Sequence, residues 1–183
     1  MRSPCSELKS LANHGILPHS GKGRYQLIQG LQEGLNVGTD FSIAISNADL
    51  LSVSNNPLAT SFDLNDIDEH SFPREHDDSL SRADYYLDNG DNYSVNKTIF
   101  NEVLAFYSGM NEASVPVAAM AKYARVQEEA GRPHFTYTAQ QFVLPYNETA
   151  LYLSVMGDPV TGIAPLEYVK IFFGASLCSF KTL

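Results

Sequence analysis

Apolar residues in this chain recur at the three-to-four-residue spacing of an α-helix, in blocks closed by glycine or proline, and no series of β-hairpins interrupts them. That rhythm points to a mainly α fold. Ser3 and Pro4 suit an N-cap and a first helical position, predicting a helix with Cys5 in its first turn that stops near His14, before Gly15. Tyr25, Leu27, Ile28, Leu31 and Leu35 mark a second helix. Phe41, Ile43, Ala44, Ile45, Ala48 and Leu51 mark a third, with Asp40 near its start. Asn96 is placed to cap a fourth, with Ile99, Phe100, Val103, Leu104 and Tyr107 on one face and Gly109 closing it. A fifth runs from about Val115 to Ala130 and ends at Gly131. Thr138 caps a sixth that Pro145 must end or kink, and from Asn147 the chain resumes as ETALYLSVM until Gly157. Pro165 opens the last helix, LEYVKIFF, and Gly174 closes it. Residues 52–94 differ: Asn, Asp, Ser and Pro dominate, predicting a long polar loop region, which in a compact domain is either functional or disordered.

A chain of 183 residues reads as one domain, 1–183, and a 44% hydrophobic share with ten Tyr and ten Phe predicts a true core. Twelve basic residues against 21 acidic ones leave a net charge of -9, which argues against nucleic acid and anionic membranes as partners. No apolar run approaches the length of a membrane span. Two cysteines, Cys5 and Cys178, cannot make a disulfide framework. Cys178, past Gly174, either tucks against Phe180 or forms an intermolecular disulfide and hence a homodimer. Sequons at Asn92, Asn96 and Asn147 permit a secreted, extracellular glycoprotein, with Asn92 and Asn96 in the polar region the expected acceptors. The segment after Met1 is not a signal peptide, so that reading takes the leader to be absent from this chain.

Three places carry chemistry. A thiol in the first turn of a helix is acidified by N–H groups that have no intrahelical partner, although a buried apolar cysteine is the plainer reading of Cys5 alone. In EHDDS, Glu75 and Ser79 stand four apart and on one helical turn would face a hard cation such as Mg²⁺. His76 points elsewhere, with the Asp77 carboxylate placed to orient its ring; a solvated acidic loop is the plainer reading. Glu148 precedes an apolar run; facing a dry cavity it would be a general acid/base, and otherwise a first-turn charge favoured by the helix dipole. An EF-hand, a structural zinc site, a GxSxG elbow, a P-loop and GxGxxG are all absent.

SPCSELKSLANHGILPHSGK, then EHDDSLSRADYY with GDN shortly after, then NETALYLSVMGD, resemble in order and content the fungal haem-thiolate peroxidase family, that of the chloroperoxidases and unspecific peroxygenases. The likeness runs from residue 2 to about 175 and is to the short peroxygenase type. It implies a single-domain helical haem-thiolate peroxidase fold holding haem b, with Cys5 as the axial iron ligand and first-turn N–H groups near Leu8 tuning the sulfur. The family's usual proline after the cysteine is Ser6 here. The resemblance assigns Mg²⁺ or Mn²⁺ to Glu75, Ser79, the His76 carbonyl and a haem propionate. It matches the distal acid/base glutamate to Glu148 with His76 as partner, and Asp77 completes the motif. No arginine of the long members stands beside Glu148. Phe41, Ala44, Ile45 and Leu151 would form an apolar distal wall for small hydrophobic or aromatic substrates. The implied activity uses hydrogen peroxide to insert oxygen into C–H or C=C bonds, with peroxidase and haloperoxidase side reactions. Alternatives are a narrow-substrate biosynthetic haem-thiolate enzyme, a metal-dependent hydrolase built on EHDDS, and a non-catalytic haem-binding helical module.

Overall fold

The computed structural model describes residues 5–18, 22–50, 56, 58–63, 66–68, 70, 76–87, 89–135 and 139–174. Seven α-helices lie among them: α1 (Ser6–Asn13), α2 (Arg24–Leu35), α3 (Thr39–Leu50), α4 (Lys97–Ala105), α5 (Val115–Ala130), α6 (Ala139–Met156) and α7 (Leu166–Gly174). Four two-residue strands, β1 (Lys22–Gly23), β2 (Ser61–Phe62), β3 (Glu112–Ala113) and β4 (Ala164–Pro165), pair antiparallel as β1 with β2 and β3 with β4. The mainly α expectation holds. No described helix is long and apolar enough to cross a membrane. The chain divides into two compact units, residues 1–75 and 76–183.

In the first unit, Leu8, Leu11, Ala12, Leu17, Leu27, Leu31, Val37, Ile45, Phe62 and Ile67 form one buried core. The expected stop at Gly15 is present, with a positive φ of 73° after α1, and Asn36 ends α2 with a left-handed φ of 52°. Helix α3 is turned inside out. It buries Ser42, Ser46 and Asp49 beside Ile45 and leaves Phe41 and Ile43 exposed. The inward serines are satisfied within their own turn, Ser42 Oγ donating to the Gly38 carbonyl at 3.0 Å and Ser46 Oγ to that of Ser42 at 2.7 Å.

In the second unit, α5 packs on α4 and α6, and α7 closes the bundle. Val103, Tyr107, Ala118, Ala121, Tyr152, Leu153, Leu166 and Val169 belong to its core. Asn96 caps α4 as expected, its Oδ1 accepting from the N–H groups of Thr98 at 3.0 Å and Ile99 at 3.2 Å. Helix α6 corrects the sequence reading. It runs unbroken from Ala139 to Met156 through Pro145, so Asn147 starts no new helix and Glu148 lies within a helix rather than at its mouth. Pro145 costs one backbone donor but keeps its carbonyl, which accepts from Thr149 Oγ1 at 2.9 Å.

Between residues 76 and 84 the polar stretch is not a solvated loop. Asp77, Asp78, Leu80, Ser81, Arg82, Ala83, Asp84 and Asn92 are all buried. The segment hydrogen-bonds itself: Asp91 Oδ1 accepts from the N–H groups of Tyr93 and Ser94, the Ser81 carbonyl from Asn96 N–H, and Arg82 Nη1 donates to Ser81 Oγ at 2.9 Å. A segment satisfied in this way can be buried without apolar periodicity.

Candidate functional site

His76 opens the second unit with a side chain only 7% exposed. Its Nδ1 lies 2.7 Å from the main-chain carbonyl of Asp77. A carbonyl only accepts, so Nδ1 carries the hydrogen and donates. Its Nε2 lies 3.2 Å from Glu148 Oε2 on α6, a residue 72 positions away in sequence. With Nδ1 committed, one proton is shared across the second contact, held by the carboxyl oxygen or by Nε2. Burial opposes a charged ring, but the charge and hydrogen bond of Glu148, with a smaller push from Asp78, outweigh burial and the Lys122 charge, and the ring's pKa stands above its usual 6.5.

Behind the ring sits a second pair. The Asp78 carboxylate, 1% exposed, faces His76 Nδ1 at 3.6 Å. Lys122 of α5 donates from Nζ to the Asp78 carbonyl at 2.7 Å and also to its Oδ1. Burial pushes the Asp78 carboxyl up against the opposing pull of Lys122 and His76. Next to this pair, Asp78 N–H donates to Asp84 Oδ1 at 2.8 Å. Asp77, Asp84 and Glu129 line a small pocket near the end of α5. Arg125 binds Glu129 at 2.8 Å and Glu128 at 2.5 Å, and its Nε donates to the Ser79 carbonyl at 3.1 Å.

One expected contact is present here, and several expected placements are corrected. His76 and Glu148 do meet. The ring is oriented by the main-chain carbonyl of Asp77, whereas a carboxylate was expected; the Asp77 side chain instead lines the pocket with Asp84 and Glu129. The Glu148 side chain is 51% exposed rather than enclosed. Ser79 is half-buried, and its Oγ accepts from Ser81 N–H at 3.4 Å. Glu75, the other expected cation ligand, and Cys178 lie outside the described residues. Among the described residues no three His, Cys, Asp or Glu side chains converge as a metal site.

Cys5 is the N-cap of α1, in extended backbone at φ -75° and ψ 103°, rather than a first-turn residue. It is half-buried against the first unit's core, and its carbonyl accepts from Lys9 N–H at 3.1 Å. Of the expected distal wall, Phe41 and Ala44 are exposed on α3 and Leu151 is half-buried on α6. Ile45 is 5% exposed and belongs to the core, so it is not part of that surface in the first unit. Sequence reasoning gave no role to Asp78 or Lys122. The signal for Lys122 was its place on the stripe 118, 121, 122, 125, 129 of α5, where a buried helical face carries a lysine, an arginine and a glutamate.

Residues 1–178 match the family described as Peroxidase, family 2, and the chain belongs to it. Its relatives include the aromatic peroxygenase of Cyclocybe aegerita, 28% identical over 195 residues that cover 94% of this chain and 52% of that protein. The aromatic peroxygenase of Coprinellus radians is 27% identical over 178 residues, covering 86% of this chain and 67% of that protein. The chain thus spans about half the length of the first relative and two thirds of the second.

Proposed function

We propose that this chain is a hydrogen-peroxide-dependent haem-thiolate peroxygenase that transfers oxygen to small hydrophobic or aromatic substrates, with peroxidase turnover as a side activity. Membership of Peroxidase, family 2 supports the class, and the observation that carries the catalytic reading is the His76–Glu148 contact of 3.2 Å. Glu148 takes a proton from hydrogen peroxide at a carboxylate oxygen and returns it to the departing oxygen, which leaves as water. His76, its Nδ1 held by the Asp77 carbonyl, keeps Nε2 turned to that carboxyl so that the proton is held between two groups.

Haem supplies the oxidising chemistry when bound, and Cys5 is the residue that would ligate its iron. A sulfur at the N-cap of an eight-residue helix stands at the positive end of the helix dipole, which favours the thiolate and fits that role. Mg²⁺ or Mn²⁺ is assigned to Glu75, Ser79 Oγ and the His76 carbonyl, oxygen donors suited to a hard cation. Relatives named aromatic peroxygenases support an apolar substrate, and the exposed Phe41 suits one. The three sequons support an extracellular, glycosylated protein as part of this reading.

The test is spectroscopic and isotopic. The haem-loaded protein, reduced under carbon monoxide, is expected to show the red-shifted Soret band of thiolate ligation, and Cys5→Ala to lose it. With ¹⁸O-labelled peroxide, the label is expected in an oxygenated aromatic product. A parent protein without that band, or products without the label, overturns the reading.

A further inference from the structure

Asp78 adopts a left-handed φ of 68°. For a residue with a side chain this conformation is uncommon, and it persists where the surroundings hold it. Those surroundings are specific here. The carbonyl and carboxylate of Asp78 both accept from one buried ammonium, that of Lys122, and its N–H is bound at 2.8 Å by Asp84. Lys122 stands on α5 with only 2% of its surface exposed, between the core residues Ala118, Ala121 and Val126. An ammonium so placed stays buried only with its charge matched, and Asp78 provides both the charge and a second acceptor. The turn that Lys122 pins is the one that presents the Asp77 carbonyl to His76 Nδ1 and sets Nε2 toward Glu148.

We propose that Lys122 and Asp78 are positioning residues: a buried clamp from α5 that holds the 76–78 turn, and with it the His76 ring, in register with Glu148. This deepens the acid/base reading above and rests on it for its consequence in turnover. The clamp acts only through the ring. A ring released from the Asp77 carbonyl rotates about its two side-chain torsions and loses the fixed Nε2, and misplacement of a catalytic group by about 1 Å costs on the order of 100-fold in rate. Lys122 touches no group of the acid/base pair, so its removal should leave haem content and organic-substrate KM in place.

The experiment uses the haem-loaded chain, ¹⁵N-labelled in its histidines and held in the diamagnetic ferrous carbon-monoxide form. The His76 Nδ1–H signal, identified by its loss in His76→Gln, is expected to be resolved and protected from solvent exchange in the parent. Lys122→Met is expected to lose that protection and to lower the peroxide-dependent rate roughly 10- to 100-fold, with organic KM within about twofold. Lys122→Arg, which keeps charge and donors, is expected to recover the signal at least in part. Parental protection and a parental rate in Lys122→Met overturn the clamp. If that variant does not fold, Asp78→Ala replaces it: it leaves Lys122 the carbonyl contact, the same losses are expected, and a parental signal overturns the proposal. The ring signal does not depend on the reaction catalysed. A parent that turns over no peroxide while the signal still responds to Lys122→Met refutes the proposed function and leaves the clamp standing.

Discussion

At the scale of single residues, the proposed function turns on the contact between Glu148 and His76. Glu148→Gln keeps the volume and a hydrogen-bonding group but cannot shuttle a proton. Peroxide turnover in stopped flow is expected to fall by roughly 10²- to 10⁴-fold with haem content unchanged. His76→Ala is expected to lower it too, and the double variant to lose less than the product of the two, because the groups act as a unit. A second carboxyl makes a different prediction. Burial, then Glu129 and Asp77, push Asp84 up from 3.8 to about 8. Between those values the folded state holds a proton that the unfolded chain has released, so stability falls as pH rises through the window, and above about 8 the full penalty is present. The thermal midpoint of the parent is therefore expected to drop between about pH 5 and about pH 9. Asp84→Asn still accepts from Asp78 N–H and offers Glu129 a permanent donor, so its midpoint is expected to exceed the parent's at the alkaline end and to vary less with pH.

At the scale of elements, the bundle of the second unit is set by close approaches that local patterns do not announce. Gly157, at the end of α6, lies against the backbone of Ile163 and Ala164 where the loop folds back through the Asp158–Ile163 bridge. A Cβ there would meet the Ile163 carbonyl oxygen, and backbone cannot step aside as a flexible side chain does. Gly157→Ala is expected to cost about 2 kcal/mol or more in urea unfolding, with an unchanged slope. Helix α6 shows the opposite tolerance. Pro145 sits inside it, buried, and the helix continues, because one missing donor weighs less than the packing of Tyr152 and Leu153 in the core. That continuity is what puts Glu148 one helical surface away from Thr149, with Glu148 exposed and Thr149 buried.

At the scale of the whole molecule, burial reorders the candidate glycan sites. Asn92 is 4% exposed and Asn96 spends its side chain capping α4, whereas Asn147 is exposed on α6. Peptide mass mapping of protein secreted from a eukaryotic host is expected to find modification at Asn147 and little at Asn92; high occupancy at Asn92 would show that its segment is open when the glycan is added. Much of the molecule was nonetheless legible beforehand. Helix spacing and end signals were local properties, so α2, α3, α4, α5 and α7 stand within a few residues of their predicted positions. The EHDDS motif and Glu148 likewise marked the two groups that meet, since a histidine and a glutamate of matched chemistry are visible as residue types. The partners behind that pair were not. Asp78 and Lys122 meet across 44 positions, and a charge on a buried helical stripe does not name its counter-ion. The inward serines of α3 and the buried polar segment after His76 were equally hidden. Periodicity reports which side chains prefer to leave water, while a polar group satisfied by its own backbone can be buried against that preference. Local sequence therefore determined the helices and the residue types of the candidate site, and only the tertiary structure decided which carbonyl, carboxylate and ammonium surround His76.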